Sequence, residues 1–169
     1  SDFGTLKEDA VLSGGSVEQS NTQTQANLWL GTDIDTVDLN TVRVPRLVIR
    51  GDKLAKLQLK GSVIDKLVIS ARSGNVDLDC AAIGNTVIGD GNGAVTLEPA
   101  GNDVGITGDG RVVTLENGVG NLAILGSNNT VVLDSKASAD AVKIYGHNNT
   151  VVINSKVKNL VVEGKNNTV

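Results

Sequence analysis

A chain of 169 residues with 40% apolar and 20% charged residues has the size and balance of one globular domain and is not a disordered tail. A net charge of −4 and a pI near 4.9 argue against nucleic acid as a partner, because binding a phosphate backbone needs clustered Lys and Arg. No run approaches the roughly 20 apolar residues of a membrane helix, so no membrane insertion is expected, and no signal peptide is visible.

Phe3, Trp29 and Tyr145 are the only aromatic residues and Met is absent, so the core has to be built from Val, Leu and Ile. These side chains pack well on pleated strands. Twenty Gly against two Pro, Pro45 and Pro99, predict many tight corners without rigid linkers. The single cysteine, Cys80, cannot form an internal disulfide and reads as a small residue near a strand end.

Along the chain, residues 1–16 fit no repeat and are read as an N-terminal cap segment. From residue 17 to residue 169, alternating apolar pairs recur every 18 to 20 residues. One series, strand A, runs Val37 and Leu39, Leu57 and Leu59, Val76 and Leu78, Val95 and Leu97, Val113 and Leu115, Val131 and Leu133, Val151 and Ile153. A second, strand B, follows about nine residues later, from Leu28 and Leu30 through Leu47 and Ile49 to Val142 and Ile144 and then Leu160 and Val162. A third inward position lies between them at Val44, Ile64, Ile83, Val119, Ala139 and Val157. Alternation at period two puts both members of each pair on one strand face. A unit this short cannot bury that face alone, so copies have to stack. The predicted fold is therefore all-β: a single-domain parallel β-solenoid of about eight turns.

The repeat is plainest at the end of the chain, where Gly126-Ser-Asn-Asn-Thr-Val returns at Gly146 and at Gly164. Stacking places Asn128, Asn148 and Asn166 in a vertical column at a corner, with Asn129, Asn149 and Asn167 beside them, and predicts a structural asparagine ladder. Each copy also matches the Asn-x-Thr glycosylation pattern, a match the repeat itself generates. Val169 lies one residue into the next strand A, so the C-terminal end is expected to be capped by further residues or open to a partner.

These residues resemble a family of small exported bacterial proteins of unknown function whose coils carry Gly-x-Asn-Asn-Thr-Val. The match covers the last 44 residues, with fainter echoes at Asn85 and Gly101. More loosely, the chain is similar to bactofilins, bacterial cytoskeletal β-solenoids that polymerise end to end. The first resemblance implies secretion to the extracellular space or cell envelope, and neither implies a catalytic residue.

No constellation for catalysis is found. His147 is the only histidine, and Ser127 and Lys165 take its place in neighbouring copies. Asp79, Glu98, Glu116 and Asp134 form an outward acidic column, but a straight ladder does not converge six to eight oxygens on a cation. No metal and no cofactor is therefore expected. Two outward surfaces are apolar: Trp29, Val48, Val68 and Val87 on strand B, and Val132 and Val152 within a Thr-rich strip on strand A. Either the chain's own Phe3, Leu6, Val11 or Leu12 covers the Trp29 column or a second chain does. The function expected is a rigid, non-catalytic interaction module that self-associates as a homo-oligomer through that column or its ends. The alternative is a cell- or phage-surface adhesin that binds a glycan or a protein receptor.

Overall fold

The computed structural model describes residues 2–51, 54–71, 76–77, 81–91 and 94–169. Apart from one 3-10 turn at Phe3–Thr5, the described residues form strands and turns wound into a single β-solenoid. The strands in chain order are β1 (Ala10–Leu12), β2 (Ser16–Gln23), β3 (Asn27–Leu30), β4 (Thr36–Gly51), β5 (Lys56–Gln58), β6 (Val63–Ala71), β7 (Val76–Asp77) and β8 (Ala82–Ile88). They continue with β9 (Ala94–Leu97), β10 (Val104–Ile106), β11 (Val112–Leu115), β12 (Val119–Ile124), β13 (Thr130–Leu133), β14 (Ala139–Ile144), β15 (Thr150–Ile153) and β16 (Val157–Val162).

One long face runs β1-β3-β4-β6-β8-β10-β12-β14-β16, and the later strand A segments form a separate sheet, β9-β11-β13-β15. The first half is joined differently, because β4 turns a corner at Thr41 (φ 57°). Its first part pairs with β2 and β5, and its second part pairs with β3 and β6. Pairing is parallel throughout, and the register is the one the apolar repeat demands. Leu47 stacks on Leu67, then on Thr86, Val104, Leu122, Val142 and Leu160. Val95, Val113, Val131 and Val151 stack likewise on the other side. Leu78 lies outside the described residues. The inward columns form one continuous core of Val, Leu and Ile, and each fully buried side chain stabilises the stack by about 1.5–3 kcal/mol relative to exposure.

The expected cap at residues 1–16 divides in two. Ala10 and Leu12 pair with Leu28 and Leu30, and Val17 pairs with Val37, so the stack begins one coil earlier than the apolar pattern suggested. Gln19 conceals that coil by placing a polar residue opposite Leu39. Its Oε1 accepts the N–H of Phe3 at 3.2 Å, and the fully buried Phe3 ring closes the end of the core.

At the repeat corner the coils approach too closely for any side chain. A Cβ on Gly126 would stand 1.8 Å from the carbonyl oxygen of Gly108, and one on Gly146 would stand 1.7 Å from that of Gly126. Neither glycine has a positive φ, so close approach alone selects it. Gly146→Ala is expected to destabilise the fold by about 3 kcal/mol or more in a denaturant titration, since backbone has to move. Gly105→Ala, where the nearest atom to a new Cβ is Val87 Cγ2 at 4.0 Å, is expected to stay within about 1 kcal/mol of wild type.

Candidate interaction surface

The corner phrase resolves into separate jobs. The first asparagine of each copy, Asn128, Asn148 and Asn166, is exposed and holds a left-handed backbone at φ 60°, 57° and 60°. Asparagine tolerates that conformation better than other side chains apart from glycine's absence of one. The side-chain ladder predicted for these residues runs instead through their neighbours. Asn129 Oδ1 accepts the N–H of Arg111 (2.7 Å), Asn149 Oδ1 that of Asn129 (2.9 Å), and Asn167 Oδ1 that of Asn149 (2.9 Å). The Nδ2 groups of Asn129, Asn149 and Asn167 donate to the carbonyls of Gly108, Gly126 and Gly146, each at 3.0 Å. The left-handed residue turns outward, and the residue after it points into the corner. There a buried backbone N–H needs an acceptor, and the next coil's amide supplies it.

The variable position of the phrase makes a second, exposed ladder. Asp109 Oδ1 accepts the N–H of Ser127, Ser127 Oγ that of His147, and His147 Nδ1 that of Lys165 at 2.8 Å. His147 therefore acts here as a corner acceptor through Nδ1. Arg111 occupies the buried ladder position one coil before Asn129 and is fully enclosed. Burial lowers its guanidinium pKa from the ordinary value, and attraction to Asp90 opposes that shift.

The first half of the solenoid repeats this logic at its other corner, which the sequence pattern did not reveal. Asn21, Thr41 and Gly61 are all left-handed, and the buried Ser62 Oγ accepts the N–H of Val42 at 3.1 Å. An open groove follows this corner, lined by Asn21, Thr22, Gln23 and Arg43.

The apolar residues proposed for partner contact fall on two faces. Trp29, Val48, Val68 and Val87 form one vertical column on the long face. The column continues through Gly105 and Ala123. The N-terminal segment does not cover it: Val11 pairs beside Trp29 and is itself 66% exposed, while Phe3, Leu6 and Leu12 pack toward the core. Arg46 lies over the Trp29 ring, 5.9 Å from its centroid. Val132 and Val152 stack on each other in the β9-β11-β13-β15 sheet, below Thr96 and Thr114, and so belong to a different surface. Glu98 and Glu116 are exposed and Asp134 partly so, while Asp79 and Cys80 lie outside the described residues. Among the described residues, no three His, Cys, Asp or Glu side chains come together as a metal site, and no helix is long and apolar enough to cross a membrane. Compared with protein-family models, curated proteins and solved structures, the chain matches none.

The two asparagines of one copy are expected to respond differently to truncation. Asn149→Ala removes an acceptor and a donor from a buried corner and is expected to cost about 2–4 kcal/mol. Asn148→Gly keeps the left-handed backbone and is expected to change stability by less than about 1 kcal/mol. Thermal or chemical unfolding of both variants checks the assignment of the ladder.

Proposed function

We propose that the protein is a rigid, non-catalytic structural or interaction module that self-associates through the outward apolar column of its long face. The observation that carries this reading is the alignment of Val11, Trp29, Val48, Val68 and Val87 in one outward column, in which Val11 is exposed, Trp29, Val68 and Val87 are half-buried, and Val48 is buried. Val11, Trp29, Val68 and Val87 each present surface, in register on one sheet face, and together make the kind of contiguous apolar patch that marks a protein contact. Trp29 is its largest member and the natural anchor. The resemblance of the Gly-x-Asn-Asn-Thr-Val coils to exported bacterial proteins supports placing this module outside the cell or in its envelope.

Sedimentation velocity over a wide concentration range tests the reading. The expected result is a concentration-dependent dimer or higher species, with Trp29→Ala weakening association at least tenfold while the melting temperature stays nearly constant. A monomer at every concentration would sink the proposal.

A second reading, an adhesin for a glycan or a surface receptor, is favoured by the open groove, where the polar Asn21, Thr22, Gln23 and Arg43 stand beside the apolar Leu6, Pro45, Val42 and Val63. It predicts retention on a glycan or receptor array that Arg43→Ala abolishes, and uniform absence of binding would remove it.

A further inference from the structure

The outward face of the long sheet is a grid of three columns and nine levels, with Val11, Trp29 and Val48 beginning the middle column and Ala123, Lys143 and Val161 ending it. Bulk is unevenly spread along it. The first five levels of the middle column carry Val or Trp, and the sixth and seventh carry Gly105 and Ala123. The space beside Gly105 is open, with no atom closer than 4.0 Å to where its Cβ would be.

Charge is also unevenly spread, in bands. Residues 1–42 hold one Lys or Arg against seven Asp or Glu, and residues 43–72 hold eight against two. Residues 73–134 hold one against eight, and residues 135–169 hold five against two. Because coils stack in chain order, the bands follow the rod axis as negative, positive, negative, positive.

From these two patterns we infer that a second copy of this chain docks on the long face antiparallel to the first, about a two-fold axis at Val87. The inference rests on the self-association reading and specifies its geometry. A two-fold axis in the plane of the face, perpendicular to the rod, reverses the order of levels and keeps each column opposite itself. Val87 then meets its own copy, Val68 meets Gly105, and Val48 meets Ala123. Large side chains of one half are thus set against small ones of the other, as a close-packed interface requires. In the flanking columns, Lys66 falls opposite Asp103, and Gly31 opposite the exposed Tyr145. Trp29 lies against the aliphatic stem of Lys143, whose ammonium then falls among the acids of the first coils.

The same operation sets the acidic first two coils against the basic last two, and the basic coils of Arg46 and Lys66 against the acidic coils of Asp103 and Asn121, while the central Val87 level faces itself. A parallel, in-register pair would instead set each charged coil against its like and bring Arg46 of one copy against Arg50 of the other, which selects against it. Three columns about 7 Å apart and nine levels about 4.8 Å apart give a face near 700 Å² per copy. Two such faces together reach the standard size of a stable protein interface, about 1,200–2,000 Å². Isologous two-fold pairing is also the commonest form of closed homo-oligomer.

Thiol cross-linking of single-cysteine variants in a Cys80→Ser background tests this geometry, with a bis-maleimide spanning about 10 Å, the usual distance between facing sheets. Val87→Cys is expected to cross-link to itself. Ser13→Cys and Glu163→Cys are each expected to fail alone, since each would sit about 40 Å from its own copy, and to cross-link when the two variants are mixed. Gly105→Arg, which the open space accommodates in a single chain, is expected to weaken dimerisation at least a hundredfold by meeting Val68 of the other copy. A dimer in which Glu163→Cys cross-links to itself, or in which none of these sites reacts, would overturn the antiparallel geometry and leave self-association standing. A protein that stays monomeric at all concentrations would overturn both.

Discussion

Every coil of this solenoid obtains its backbone hydrogen bonds from the coils above and below. On the flat sides the parallel ladders provide them automatically. At corners the backbone turns away from its neighbour, and N–H groups that face inward would be left without acceptors. The Gly-x-Asn-Asn-Thr-Val phrase answers that one constraint. A residue without Cβ lets carbonyl and chain approach, a left-handed asparagine makes the bend, and a second asparagine returns an amide to the neighbouring coil. The Thr then begins an outward strand position and the Val enters the core.

Where the phrase is missing, other residues meet the same need. Ser62 does so for Val42, and Gln19 does so for Phe3 at the N-terminal end. Arg111 departs from the pattern by setting a guanidinium in a slot that takes an amide in the next three coils. Burial there disfavours its charged form, and attraction to Asp90 opposes that effect.

Much of the architecture was legible in the sequence, because the inward columns obey a strict period and each apolar pair predicts the next. The parallel register of Leu47 through Leu160 and of Val95 through Val151 could be written down from spacing alone. The ladder was displaced by one residue, because two adjacent asparagines look alike until the backbone decides which faces inward. Their φ values are that decision, and no periodicity encodes them. The first coil was hidden because Gln19 and Ala10 do not look like core residues, although their positions relative to Leu39 and Leu28 are regular. The corner at Asn21, Thr41 and Gly61 leaves no sequence pattern, because three different residue types share one conformation. The Trp29 column was visible as a pattern, and its extension to Val11 followed once the N-terminal strand was seen to join the stack.

The corner constraint has a consequence for function. Coils pinned at their corners hold outward side chains in fixed columns, so a chance apolar residue becomes a straight strip and a local excess of charge becomes a band. A surface of this kind suits a partner with the same spacing, and another copy of the chain has it by construction. Small-angle X-ray scattering of the associated species tests this claim most directly. Lateral pairing predicts a greater cross-section with the maximum dimension close to that of a single rod; a particle of doubled length and unchanged cross-section would contradict it.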